Sequence, residues 1–281
     1  MKVTLWGTRG SHAGPGPGTV RYGGHTACVE VRAEDGTVLV LDAGTGAKPL
    51  GGTLIQENRR VDLLLSHLHM DHIQGLGFFA PLFMPGREVH IWGPASTTLD
   101  LRARLARYLS PPLFPVRLRE LPCELSIHDV ADTTFAIGPF IVQSGLVIHP
   151  GPTVGYRITE GGVSMAYLPD HEPALGVEAF PEVPRWTSGF DLCDGVDLLV
   201  HDAQYTDAEY PARIGWGHST FAQTTAFARM TGAGHLVTFH HDPSHTDEML
   251  DAIADGIRAE GHPFQFTPGT EGSCFAVGNA A

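Results

Sequence analysis

The chain has 281 residues, of which 42% are hydrophobic and 17% are charged, and this composition is typical of globular proteins. Its length allows one large α/β domain or two small ones. The formal net charge of -13 would repel long polyanions, which disfavours a large nucleic-acid partner. Without an apolar run that could cross a bilayer or a signal-peptide layout at the N-terminus, we expect a cytoplasmic protein with no membrane partner.

Three strands are predicted in the first part of the chain, at residues 3–7, 26–32 and 37–42. The last two flank an Asp-Gly turn, which is typical of a hairpin. The Gly- and Pro-rich loop Gly10–Gly24 separates the first two strands. A loop of this length in a compact domain is either functional or mobile, and the sequence leaves open whether it faces a substrate.

Asp42 ends the third predicted strand and is followed by a glycine-rich turn. It could cap the next helix, or it could accept a hydrogen bond from a metal-ligating histidine. Its strand end should lie beside the strand end that carries His67, so we favour the second role.

The segment Ser66–His72 follows the apolar strand 61–65 and precedes a helix predicted to start at Ile73. Three histidines and an aspartate within six residues are hard to explain by packing, because such side chains are seldom buried unpaired. Imidazole and carboxylate are metal ligands. Strand alternation predicts that the first two histidines share one side, with the other two ligands coming from the turn beyond. The candidate ligands are His67, His69, Asp71 and His72.

The middle of the chain predicts a strand at residues 88–92, a helix at 98–108 and two or three strands between 125 and 147. The proline-rich segment 110–115 could form a flap or part of a partner contact. A hairpin around Gly161 and a helical stretch leading to residue 196 follow. The last third alternates strand and helix, which indicates an α/β layer, with predicted elements at residues 196–200, 220–230, 235–239 and 246–259.

Candidate ligands recur at predicted strand ends, and strand ends on one edge of an α/β fold can converge on one point. The residues at these ends are Asp42, His67 to His72, His149, Asp170, Asp202 and His240.

In this pattern the chain resembles the metallo-β-lactamase superfamily over essentially its whole length. The matching residues are the motif His67-x-His69-x-Asp71-His72, then His149, Asp170 and His240. The resemblance implies an α/β fold, a four-layer αββα sandwich, as a single domain over residues 1–281.

Within that superfamily the chain looks most like the phosphodiesterase branch that includes ribonuclease Z and phosphoribosyl cyclic phosphodiesterase. The resemblance implies two divalent metal ions, with zinc expected first and manganese or iron as alternatives. The first ion would take His67, His69 and His149. The second would take Asp71, His72 and His240. Asp170 would bridge both.

The same resemblance implies the catalytic residues Asp71, His218 and Asp202. His218, before Ser219, matches the extra histidine of the branch, which contacts phosphate and serves as an acid; the alternative is a helix entry capped by Ser219. Asp202 matches a supporting carboxylate that would keep this imidazole oriented and cationic.

Several assignments have competitors in the sequence. Asp170 and Asp202 both follow strands and compete for the bridge, and position favours Asp170. Of the adjacent His240 and His241, strand alternation lets only one point inward, and we choose His240. His149 could instead be a turn residue. The remaining histidines are expected to face solvent or support ligands, namely His171, His201, His241 and His245.

The resemblance implies hydrolysis of a small phosphodiester, with a cyclic one as the leading candidate, through attack by a metal-bridged hydroxide. The closest alternative is a tRNA 3′-processing-type endoribonuclease, but its long basic arm has no counterpart between His72 and Asp202. A thioester, lactone or lactam hydrolase of the same fold is a second alternative, and a non-catalytic metal-binding protein is a third. Homodimer formation is left open.

Overall fold

The computed structural model describes residues 1–173, 175 and 180–278. Its strands are β1 (Lys2–Gly7), β2 (Cys28–Arg32), β3 (Val38–Leu41), β4 (Val61–Leu64), β5 (Glu88–Pro94), β6 (Glu124–Val130), β7 (Thr133–Ile137), β8 (Phe140–Leu146), β9 (Val154–Glu160), β10 (Val163–Leu168), β11 (Leu198–Asp202), β12 (His235–Phe239), β13 (Gln265–Pro268) and β14 (Cys274–Ala276). Its helices are α1 (Ala47–Leu54), α2 (Met70–Ile73), α3 (Leu101–Tyr108), α4 (Phe190–Cys193), α5 (Phe221–Thr231) and α6 (Asp247–Glu260).

The strands form two seven-stranded sheets, in the orders β14-β1-β2-β3-β4-β5-β6 and β13-β12-β11-β10-β9-β8-β7. Strands β3 to β6 run parallel in the first sheet, and β10 to β13 run parallel in the second. The central parallel strands are covered on both faces, which explains continuous apolar runs such as Leu198–Val200.

The main hydrophobic core lies between the two sheets and takes side chains such as Leu41 from one and Phe239 from the other. A second core joins the first sheet to α1 and α3, and a third joins the second sheet to α4 and α5. The order of layers is therefore helix, sheet, sheet, helix. The predicted four-layer αββα sandwich is confirmed.

The carboxyl ends of the parallel strands meet at one edge of the sandwich. Because β3 and β4 are adjacent in one sheet, and β10, β11 and β12 are adjacent in the other, the residues at their ends come together from both layers. These residues are Asp42, His67, Asp170, Asp202 and His240.

Three local predictions were wrong or incomplete. The helix after β4 begins at Met70, not Ile73, so Asp71 and His72 lie within it; a 3₁₀ turn over Gln74–Phe78 continues it. Strands β13 and β14 were not predicted, because Gln265–Pro268 and Cys274–Ala276 are short and weakly patterned. The helical stretch expected before residue 196 falls partly on residues 174 and 176–179, outside the described residues, and its described part contains α4.

The loop Gly10–Gly24 is packed rather than free. Arg9, whose side chain is completely buried, donates from Nε to the carbonyl of Gly23 and from Nη1 to the carbonyl of His245. Asp247 at the start of α6 accepts from the backbone of Arg21. No helix in the described ranges is both long and apolar enough to cross a membrane.

Candidate metal centre

The converging strand ends bring the predicted ligands into two adjacent groups. Within each group, one possible ligand atom per residue lies within 4.8 Å of the others. The first group contains His67, His69, His149 and Asp170. The second contains Asp71, His72 and His240.

Asp170 lies between the two groups and presents one oxygen to each. Its Oδ2 lies 3.7 Å from Nε2 of His67 and 3.7 Å from Nε2 of His149. Its Oδ1 lies 2.9 Å from Nε2 of His72 and 3.2 Å from Nε2 of His240. This is the arrangement required of a carboxylate that contacts two cations.

Hydrogen bonds at Nδ1 orient the imidazoles of the motif after β4. His72 donates from Nδ1 to Oδ2 of Asp42 over 2.8 Å. His67 donates from Nδ1 to Oγ of Ser66 over 3.0 Å, and Ser66 in turn donates to Asp42. With one ring proton held on Nδ1, Nε2 is the nitrogen whose lone pair a metal would take, in competition with a second proton.

The two distant histidines are oriented in the same way by groups from a second region of the chain. His149 donates from Nδ1 to the carbonyl of Gly217 over 2.9 Å. His240 donates from Nδ1 to Oε1 of Gln204 over 2.9 Å. Four imidazoles thus turn Nε2 toward the same small volume, while His69 turns Nδ1 toward it, 3.1 Å from Nε2 of His149.

The backbone at His240 is built for this placement. His240 has φ of +59°, in the left-handed region that few side chains other than glycine adopt. A β-carbon on Gly10 would lie 2.3 Å from Nδ1 of His240, so only glycine fits beside the ring. Local backbone strain therefore accompanies the placement of this candidate ligand.

The donor set fits divalent cations. Nε2 of His67 is buried and finds no hydrogen-bond partner among the described residues, which is costly unless a cation satisfies it. Burial lowers the pKa of His67 well below its ordinary value, so its lone pair is free. Burial acts against charge at His72 too, but the carboxylates of Asp170 and Asp71 outweigh it and raise the pKa of His72 well above its ordinary value.

The carboxylates respond in the opposite sense. Burial opposes ionisation of Asp170, yet His240 and His72 lower its pKa well below the ordinary value. Asp71 behaves likewise, its pKa lowered chiefly by His72 and His240 against the effect of burial. A site that keeps carboxylates ionised and attracts protons to an imidazole between them is one that stabilises added positive charge.

The two groups differ in access to solvent. His72 and His240 are completely buried, whereas His69 is exposed. The first group therefore opens to solvent at His69, whereas the two histidines of the second group have no exposed surface.

His218 lies at the junction of the two groups. Its Nδ1 is 2.8 Å from Oδ2 of Asp202, and its ring stacks on that of His240 with centroids 4.9 Å apart. Burial lowers the pKa of His218 and raises that of Asp202. The contact orients the imidazole, but burial opposes the positive charge that the sequence led us to expect on it.

The structure also places the competing residues. Asp170, not Asp202, lies between the two ligand groups. His240 faces the site, whereas Nε2 of His241 bonds to the carbonyl of Gly269. None of the four remaining histidines faces solvent: each is completely buried, and His171 bonds to His201 over 2.9 Å. Of the two roles expected for these residues, the structure therefore excludes the solvent-facing one, and none of the four belongs to a ligand group.

Two of the supporting groups that the sequence did not predict lie far from the ligand motif. Gln204 belongs to no metal-ligand pattern, and Gly217 acts through its carbonyl, which no residue type reveals. The only sequence signal was position, since both lie within a few residues of Asp202 or His218.

Comparison with known proteins identifies relatives along most of the chain. A family model described as beta-lactamase superfamily domain matches residues 37–241. The Ribonuclease Z of Anoxybacillus flavithermus is 26% identical over 287 residues, covering 86% of this chain and 89% of the relative. The metallo-beta-lactamase fold protein YhfI of Bacillus subtilis shares the fold, with a TM-score of 0.71 and 20% identity over 98% of this chain and 99% of its own. The short form of human tRNase Z shares it too, with a TM-score of 0.69 and 21% identity over 99% of this chain and 100% of its own.

Proposed function

Because the chain belongs to the metallo-β-lactamase superfamily, we propose that it is a metal-dependent hydrolase that cleaves a small phosphodiester, with a cyclic diester as the leading candidate. The observation that carries the proposal is His218, an imidazole beside both ligand groups whose Nδ1 is already taken by Asp202. The relative named Ribonuclease Z supports the same chemistry, since RNA is a phosphodiester polymer.

We assign the ligands from their positions. One divalent cation would be held by His67, His69 and His149, a second by Asp71, His72 and His240, and both by Asp170. Zinc is the first candidate, with manganese or iron as alternatives. When bound, such cations stabilise charge on a phosphoryl oxygen and lower the pKa of water.

We assign proton transfer to His218 rather than ligation. One of its ring nitrogens lies within 4.8 Å of possible ligand atoms of Asp170 and His240, so His218 could instead be a further metal ligand. Its Nδ1 is held by Asp202, however, and its Nε2 makes no hydrogen bond within the described part of the chain. Nε2 is then the atom that can give a proton to the departing oxygen. A lowered pKa makes the protonated ring a stronger acid, although less of it is protonated at neutral pH.

The charge of the chain favours a small substrate. A net charge of -13 opposes the approach of a long polyanion, whereas a single diester has little charge to repel. The relative named Ribonuclease Z supports an alternative, the cleavage of a tRNA precursor. A tRNA precursor should therefore be tested as a substrate beside the small diesters.

The test is turnover of bis-p-nitrophenyl phosphate by protein loaded in turn with zinc, manganese, iron or cobalt. We expect release of p-nitrophenolate that a chelator abolishes and that His90→Ala, a histidine outside the site, retains. Absence of turnover with every metal would overturn the proposal. Turnover of a lactone, thioester or lactam alone would move the protein to acyl hydrolysis, and metal binding with no turnover of any ester would make it a binding protein.

A further inference from the structure

A cavity of about 350 Å³ lies beside the candidate metal centre. Its volume falls at the small end of the range of ligand pockets, about 300–1,000 Å³. Two wall residues connect it to the centre: Gln204 bonds to His240, and the ring of Tyr205 lies edge-on to that of His218 with centroids 5.7 Å apart. A group bound here would adjoin a diester at the metal centre.

One wall of the cavity is a loop that the fold holds in place. Glu172, completely buried, accepts from the hydroxyl of Tyr210 over 2.7 Å, from the amide of Gly215 over 2.9 Å and from the amide of Gly217 over 2.7 Å. Gly215 and Gly217 both have positive φ. The residue between them, Trp216, is therefore presented by a fixed backbone rather than by a free loop.

Trp216 lines the cavity with 59% of its surface exposed. Such exposure of the largest apolar side chain is costly, and it is a common feature of recognition sites. A flat ring stacked on the indole would remove that surface from water.

Arg213 lines the same cavity. Its guanidinium lies 4.9 Å from the centroid of the Tyr205 ring and donates to the carbonyl of Glu209. It makes no ion pair with any carboxylate in residues 1–173, 175 and 180–278, although the chain has a net charge of -13. An unpaired guanidinium offers planar donors to the acceptors of a heteroaromatic ring and can itself stack on that ring.

We propose that this cavity is a specificity subsite for a flat heteroaromatic ring carried by the phosphodiester, with Trp216 as the stacking residue and Arg213 as the donor. The inference rests on the proposed function and narrows its substrate class to a diester of a single nucleoside. A diester of a polyol, or of a sugar that carries no heteroaromatic base, would fit less well. The inference also gives the loop Gly10–Gly24 a role, because Ser11 and His12 line the cavity too and Ser11 accepts from Gln204.

The kinetic test compares two five-membered cyclic diesters, adenosine 2′,3′-cyclic phosphate and glycerol 1,2-cyclic phosphate, on the metal-loaded protein. We expect a higher kcat/KM for the nucleoside. Trp216→Ala should lower the ratio of the two kcat/KM values by roughly 5- to 150-fold, the value of one base stacked on an aromatic ring. Trp216→Phe should keep most of the ratio. Trp186→Ala, which changes a tryptophan that is also exposed (73%) but lies outside the cavity, should keep all of it.

An unchanged ratio in Trp216→Ala would overturn the subsite and leave the phosphodiesterase proposal standing. This includes the case in which both diesters lose the same factor, because Trp216 would then act only through its loop. A wild-type protein that turns over both diesters without preference would overturn it as well.

A binding test separates the subsite from the catalytic proposal. Adenosine 5′-monophosphate should quench the tryptophan fluorescence of the wild-type protein, and ribose 5-phosphate should not. The quenching should disappear in Trp216→Phe and persist in Trp186→Phe. If no diester is turned over but this pattern holds, the proposed function fails and the subsite stands; equal responses to both ligands would overturn the subsite.

Discussion

Replacing Asp42 by asparagine should weaken metal binding and destabilise the metal-free protein. Oδ1 of Asp42 accepts from the amide of Ser66, and Oδ2 accepts from the hydroxyls of Ser66 and Tyr167 and from Nδ1 of His72, all within 2.9 Å. Asp42 has φ of +57°, a conformation that asparagine tolerates. The substitution therefore changes the acceptors and little else.

The magnitude follows from these four hydrogen bonds. The asparagine amide has two possible orientations, and the less costly one puts its nitrogen at the position of Oδ1. The amide of Ser66 then has no acceptor, which costs about 1–3 kcal/mol. The three bonds to the other oxygen lose a charged acceptor, at about 1 kcal/mol each. Removal of a buried charge offsets part of this, so we expect a net loss of about 2–5 kcal/mol. With a weaker acceptor for His72, metal affinity should fall roughly 10- to 100-fold.

Urea unfolding in the presence of a chelator measures the first quantity, and competition with a chelating dye measures the second. Asp62→Asn is the matched control: Asp62 is equally buried and accepts from Arg60 and from Nε1 of Trp92, but lies in β4 away from the site. It should lose stability and keep metal affinity. If Asp42→Asn behaved in the same way, Asp42 would be a folding residue and its assignment as a support for His72 would be wrong.

Three further substitutions test other parts of the centre. His218→Ala should retain metal measured by elemental analysis and lose turnover by roughly 10²–10⁴-fold; release of a metal would make His218 a ligand. His69→Ala should lower the bound metal content and abolish turnover, and full metal content would remove His69 from the ligand set. Gly10→Ala should lower metal affinity, because its β-carbon would collide with His240, whereas Gly16→Ala in the same loop meets no atom within 4 Å and should bind metal normally.

The sequence predicted most of what depends on residue type and on the order of elements. The segment after β4 carries four candidate ligands within six residues, and the family resemblance, applied to the strand-end pattern, predicted which other residues lie beside them. The αββα layering followed from the same resemblance and is confirmed.

What the sequence did not reveal depends on tertiary geometry. Gln204 supports His240 only because the end of β11 lies beside the end of β12, a contact that neither segment encodes by itself. Gly217 supports His149 through its carbonyl, and Gly10 matters because a side chain there would collide with His240. The burial of His171 and His201 likewise depends on α5 covering the second sheet, where Phe227 packs against both rings.

The unequal exposure of the two ligand groups has a kinetic consequence. A cation held by the group that includes the exposed His69 can exchange water and ligands at the surface, whereas one held by the buried His72 and His240 has no such direct contact with solvent and should leave through local opening of the fold. We expect two well-separated rates of metal loss when excess chelator is mixed with the loaded protein. The cation that dissociates slowly would then be bound once, near the time of folding. The occupancy of the other site would change with the metal concentration around the protein.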